Sequence, residues 1–289
     1  VLVWLVTTRT SCFQGRQRLK LNRLRFGTCV LGLSLIPLAS YAHDPVFGLG
    51  PHTLFKGGFE FHAGALRKKA GEDSENEYAV AVNYGITSDW TVGIEAPYSD
   101  LNSPGASVSG RGDIGLSTKY RFWRNDQLGV QESAAASLAT VLDTAGDDQV
   151  GNNATDVIAG LTYGYEGRKW YRWTALRYRR NGEGDAGFER GDKVLFDLVG
   201  GIRFSPTTYL EPDWVWMLEL NGEYTQRARM NGASVADSGG SEWFISPGLM
   251  WTYRNVAVKT GVQLPIIHDL NGAQQNTDYR ATLELELHY

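Results

Sequence analysis

The sequence predicts an all-β fold, a transmembrane antiparallel β-barrel of about twelve strands, and three observations lead there. Apolar and polar residues alternate with period two along most of the chain. The connections between the alternating runs take turns being short and long. The final run closes on an aromatic residue, Tyr289, as the last strand of an outer-membrane barrel typically does. Spanning helices are excluded, because no stretch reaches the roughly 18 apolar residues that one requires. The mean hydropathy of −0.29 agrees.

The first 42 residues stand apart. They carry six basic residues (Arg9, Arg16, Arg18, Lys20, Arg23, Arg25) and no acidic one, followed by an apolar run from Cys29 to Ala39 and then Ser40-Tyr41-Ala42. A basic region, a short apolar region and small residues at −3 and −1 form a secretory signal peptide cleaved after Ala42. Residues 1 to about 15 read as an extension ahead of the true start. Removing the six basic residues from 28 leaves 22 against 32 acidic ones, a formal charge of −10 for residues 43–289. That balance disfavours a nucleic-acid partner. Both cysteines, Cys12 and Cys29, fall in the leader, which leaves no disulfide and no thiolate metal site.

Taken in order, the strands are expected near residues 53–66, 76–86, 90–99, 112–124, 127–142, 154–166, 169–181, 191–204, 213–228, 240–254, 255–268 and 278–289. The last is the cleanest. Tyr279, Ala281, Leu283, Leu285, Leu287 and Tyr289 share one face, and Arg280, Thr282, Glu284, Glu286 and His288 the other. Tyr78, Val80, Val82 and Tyr84 repeat the pattern in the second strand, and Trp214, Trp216, Leu218 and Leu220 in the ninth. Residues 127–142 are blurred by small side chains, and 169–181 by Arg172, Arg177, Arg179 and Arg180. Tight turns are expected at Thr87-Ser88-Asp89, Arg124-Asn125-Asp126 and Tyr253-Arg254-Asn255. Polar loops of ten to fifteen residues are expected between strands 1–2, 3–4, 5–6, 7–8, 9–10 and 11–12, for example Asp143–Asn153 and Asn181–Gly191. Short periplasmic turns and long outer loops are the rhythm of a membrane barrel, and an even strand count returns both ends to the periplasmic side.

Lipid explains why the sheet must close. A bilayer core cannot satisfy unpaired backbone donors, so an open sheet edge cannot lie in it. Trp90, Trp123, Trp170, Trp214, Trp243 and Tyr253 recur toward strand ends, where an aromatic girdle belongs. The expected partners are therefore outer-membrane lipid and lipopolysaccharide.

The opposite face then lines the lumen. Its candidates are Lys56, Glu60, His62, Glu95, Lys119, Arg121, Asp197, Arg203, Glu219, Glu223, Lys259, Gln263, Arg280, Glu284 and Glu286. Twelve strands lie between a barrel filled by side chains and an open pore. Charges paired across the lumen would close it, making a structural or surface-binding barrel. An unpaired basic stripe facing an acidic one would pass a small solute. Residues 43–52 are too few for a large plug but long enough to tuck into the periplasmic mouth.

Other motifs are weaker. Ser246 and His268 lie on neighbouring strands, but no nucleophile motif surrounds Ser246, so no enzyme is expected. His43, N-terminal after cleavage, offers an amine and a ring nitrogen to a metal such as copper, with His52 as a further ligand. No other cofactor is implied. Asp143, Asp147 and Asp148 lack Ca²⁺-loop spacing, and Arg111-Gly112-Asp113 reads as turn chemistry.

Two segments resemble a known family. His43-Asp44-Pro45-Val46-Phe47 running into Gly50-Pro51-His52 and Phe55-Lys56-Gly57-Gly58 is similar to the start of members of the MetA-pathway phenol-degradation family of outer-membrane proteins. Gly112-Asp113-Ile114-Gly115-Leu116-Ser117-Thr118-Lys119-Tyr120-Arg121-Phe122 is similar to a stretch those proteins carry after the third strand. The resemblance implies a transporter or channel of the outer membrane, assigns no substrate and supplies no catalytic residues.

Overall fold

The computed structural model describes residues 44–184, 187–205 and 211–289, with the backbone of the paired dipeptides Leu2–Val3 and Leu38–Ala39. The expected leader, its cleavage site and His43 lie outside the described residues. Twelve long strands follow one another: β1 (Phe59–Ala70), β2 (Asp73–Thr87), β3 (Trp90–Ser103), β4 (Gly115–Gln127), β5 (Val130–Val141), β6 (Asp156–Gly167), β7 (Trp170–Arg180), β8 (Lys193–Ile202), β9 (Asp213–Thr225), β10 (Gly240–Tyr253), β11 (Val256–Leu270) and β12 (Tyr279–His288). Each pairs antiparallel with its sequence neighbour, and β12 pairs with β1 from Tyr279↔Lys69 to His288↔Glu60, which closes the barrel.

Closure puts one face of every strand outside. Tyr78, Val80, Leu161, Leu198, Leu218 and Leu283 are exposed there as a continuous apolar belt, as a lipid-facing wall requires. Trp90, Trp123, Trp170 and Trp214 ring the end carrying the tight turns, and Tyr98, Tyr178 and Tyr224 ring the end carrying the long connections. The two rims are called the turn end and the loop end below. Leu218 lies midway along β9 and is 53 % exposed. Leu218→Arg is expected to cost about 2–4 kcal/mol, the range for a cation at mid-bilayer on a barrel wall. Urea unfolding in lipid measures it, and the same change at Leu128, 96 % exposed in the β4–β5 turn, is the near-neutral comparison.

Three expectations are corrected. The first strand begins at Phe59 rather than residue 53, because residues 44–54 turn into the barrel instead of joining its wall and an exposed turn at 55–58 leads into the strand. The expected loops 1–2 and 3–4 are largely strand: Ala70 pairs with Asp73, and β3 continues into a hairpin with Ala106–Arg111. Alternation vanishes there because both faces are polar (Arg67, Lys68, Lys69, Ser74, Glu75), yet backbone pairing needs no apolar face. The β4–β5 turn falls at Leu128-Gly129 rather than at Arg124-Asn125-Asp126. Gly129 takes φ +75°, which glycine adopts without a Cβ penalty. A register break between Arg121 and Trp123 carries the ladder past the expected site, with Phe122 and Trp123 both outward.

Candidate functional site in the barrel lumen

Residues 44–54 enter the lumen from the turn end and reach its middle. The Glu219 carboxylate, halfway along β9, accepts the backbone N–H groups of Val46 (2.7 Å), Phe47 (3.2 Å) and Gly48 (2.8 Å). From the opposite wall Lys119 donates to the Asp44 carboxylate (3.2 Å) and to the Gly50 carbonyl (2.6 Å). Thr162 donates to the Leu49 carbonyl at 2.8 Å, and the His52 ring meets Glu166. The segment bends back on itself, bringing Gly50 against Asp44, and a buried backbone with no neighbouring strand must be satisfied by side chains, as these wall groups do.

Apolar contacts complete the fit. Val46 and Phe47 pack with Tyr171, Trp173, Val199, Val215, Met217 and Met250 in one buried cluster inside the barrel. Gly248 and Gly261 face each other across β10–β11. A Cβ at Gly248 would lie 2.8 Å from Val46 Cγ2, and one at Gly261 2.9 Å from Phe47 Cε2, so the wall is thinned where the segment passes. Lys119, in contact with Asp44 and Gly50 of the segment, is fully buried.

Most of the lumen candidates sit on the inward face in charged clusters. At the turn end Lys259 bridges Glu284 (3.1 Å) and Glu286 (2.7 Å), with His62 3.4 Å from Glu284 and Asn83 donating to Glu60 at 2.9 Å. Glu95 is buried on β3. In the middle Asp197 accepts from Arg177 (2.5 Å) and Asn221 (2.9 Å), and Gln263 donates to Asn221 at 3.0 Å. Toward the loop end Arg280 donates to Glu223 (2.5 Å), lies 3.8 Å from Glu242 and stacks over Phe244. Lys68 faces Glu75 at 3.6 Å, and both oxygens of buried Glu77 lack hydrogen bonds.

Two candidates leave the lumen proper and one leaves it altogether. Lys56 is exposed in the turn before β1, a correction that follows from the later start of that strand. Arg203 lies just past β8, paired with Asp213 at 2.5 Å, and Arg121 turns to the rim, donating to Asp89 at 2.7 Å. The Arg121 hydrogen bond holds the Asp89 carboxyl below its usual range. His43 lies outside the described residues, and the His52 ring is engaged by Glu166. Ser246 donates to Asn221, whereas His268 faces Glu242, so these two do not form a nucleophile–base pair.

At the loop end Asp113 organises residues 143–152, accepting the N–H groups of Thr144 (2.9 Å), Ala145 (2.8 Å) and Asn152 (2.5 Å). Asp156 gathers Arg179 (2.5 Å) and Arg190 (2.6 Å) beneath it. Burial lowers the Arg190 guanidinium to about 10 against the pull of Asp156. Asp113→Ala is expected to free residues 143–152, read as new cleavage there by an aspartate-directed protease while the barrel stays intact. Unchanged resistance would rule out this anchoring role.

Sequence reasoning missed the apolar inner patch. Its signal was present in the runs Trp214-Val215-Trp216-Met217 and Trp170-Tyr171-Arg172-Trp173, where, Arg172 apart, residues on both faces are apolar or aromatic.

No curated protein sequence matches the chain. The crystal structure of an outer membrane channel from Pseudomonas putida F1 superposes with a TM-score of 0.67 at 13 % identity, covering 86 % of this chain and 100 % of that one. The NanC porin gives 0.50 at 11 % identity over 78 % of this chain and 98 % of its own. A family model described as MetA-pathway of phenol degradation matches residues 97–285, which include the whole of the second resembling segment. The chain therefore belongs to the MetA-pathway of phenol degradation family and has the twelve-stranded barrel fold of outer-membrane channels.

Proposed function

We propose that the protein is a passive outer-membrane channel for small, partly apolar solutes, closed at rest by its own residues 44–54. The turn end faces the periplasm on this reading, and the loop end faces outward. The observation that carries the proposal is the seating of that segment. It is held by hydrogen bonds and packing at identifiable points, not by the barrel ladder, so it can leave without unpairing a strand. Its departure would bare Tyr171, Trp173 and Met217 beside charged walls, a lining suited to an aromatic or amphipathic solute. The pairing of Lys259, Arg177 and Arg280 with acids favours a second reading, a permanently closed structural barrel whose outer loops bind partners.

Single-channel recording in a planar bilayer separates the two. Rare, discrete openings are expected from the intact refolded protein. Silence from both the intact protein and a folded variant freed of the segment would leave only the structural barrel.

A further inference from the structure

Closure of the barrel brings its first and last strands together, and inward side chains at that seam form a cluster distinct from the hydrogen bonds that seat residues 44–54. Glu60 lies opposite His288, and His62 opposite Glu286, in the β1–β12 ladder. One ligand atom from each of Glu60, Glu286 and His288 lies within 4.8 Å of the others. The His288 ring stands between the two carboxylates, with Nδ1 3.4 Å from Glu60 Oε2 and Nε2 3.9 Å from Glu286 Oε2.

The two carboxylates are divided in the same way. Glu60 Oε1 accepts from Asn83, and Glu286 Oε1 pairs with Lys259, so each carboxylate is fixed by a neighbour. The other oxygen of each, Glu60 Oε2 and Glu286 Oε2, is buried without a hydrogen bond and points toward His288. Both residues are 1 % exposed. Leaving such oxygens unpaired is costly, so a cation between them would relieve both. Charge points the same way. Glu60, Glu284 and Glu286 bring three carboxylates to a seam where, among the described residues, Lys259 is the ammonium paired with them and His62 stands beside Glu284. The neighbouring set of His62, Glu284 and Glu286 is different, because the Lys259 ammonium already bonds two of its members.

We infer that Glu60, Glu286 and His288 form a binding site for a divalent transition-metal ion that ties the first strand of the barrel to the last. Two carboxylate oxygens and one imidazole nitrogen suit zinc, manganese or cobalt, with the remaining positions left to water. Asn83 and Lys259 act as the outer partners that orient the ligands. His288 is the last residue of β12, and its side chain is 19 % exposed at the turn end, so an ion reaches the site from the periplasm. The inference does not rest on conduction, because a silent barrel would bind the ion equally well.

The test is Zn²⁺ titration of the refolded, EDTA-treated full-length protein by calorimetry, with Co²⁺ absorption as a spectroscopic check. One ion per chain is expected. Bound Zn²⁺ should also raise the temperature at which the folded gel band is lost, since it stabilises only the closed seam. Glu60→Gln and His288→Ala should each weaken binding by on the order of 100-fold, and Asn83→Ala by about tenfold, the span seen for loss of outer partners. Glu77→Gln toward the loop end and His43→Ala in the preceding segment should change neither readout. If a ligand variant fails to give the heat-modifiable band, the isosteric Glu60→Gln and the Co²⁺ spectrum of the intact protein still decide. Absence of Zn²⁺ binding, binding that survives Glu60→Gln with His288→Ala, or binding lost in His43→Ala overturns the site.

Discussion

Glu219→Ala is expected to raise the open probability of single channels by about 100-fold or more, with no change in the folded gel band. The Glu219 carboxylate accepts three consecutive backbone N–H groups of the inserted segment. Hydrogen bonds to a charged group contribute about 1.5–3 kcal/mol each, and a population changes tenfold per roughly 1.4 kcal/mol. Removing this acceptor leaves three buried donors unsatisfied, which penalises the closed state alone. Glu219→Gln keeps one accepting oxygen and should fall between. Because Val46, Phe47 and the Lys119–Asp44 pair still hold the segment, openings of Glu219→Ala should be brief. Deleting residues 44–54 removes every one of those contacts and should give long-lived openings of the same unit conductance. A deletion variant that folds, inserts and stays silent would refute occlusion by the segment and place the block in the wall charges.

The second large effect is on stability. Arg280 is 1 % exposed, donates to Glu223 and Gln263, faces Glu242 and covers the Phe244 ring at 4.3 Å. Arg280→Met keeps most of the volume but strands two acids inside the barrel. Breaking a buried ion pair from one side costs about 3–5 kcal/mol, because the partner's charge is left uncompensated. Urea unfolding followed by tryptophan fluorescence should show that loss. Adding Glu223→Gln should restore part of it, since the second change removes the stranded charge. Equal losses in the single and double variants would show that Arg280 acts only through packing on Phe244.

These effects differ in how far the sequence reveals them. The outward face was readable residue by residue. Tyr78, Val80 and Val82, or Leu283 and Leu285, alternate with polar neighbours, and lipid demands only that they be apolar. The polar partners of those residues were equally readable as inward, down to Lys259, Glu284 and Glu286. Which acid each cation meets was not, since Arg280 finds Glu223 and Glu242 on other strands, at a register no local pattern records. Strand ends blurred where water replaces lipid on the outer face, as at Arg67 and Asn76, because the alternation has no cause there.

What the sequence determined alone is the barrel itself: strand number, order, the face turned to lipid and the closing aromatic strand. Period-two patterning and turn chemistry are local, and the bilayer forces the remaining step, closure. Only the tertiary structure decided that residues 44–54 fill the middle of the lumen, that an apolar patch waits there for Val46 and Phe47, and that Glu60, Glu286 and His288 converge at the seam. Each depends on groups brought together by closure from strands far apart in the chain, and closure leaves no periodic trace in the residues it joins.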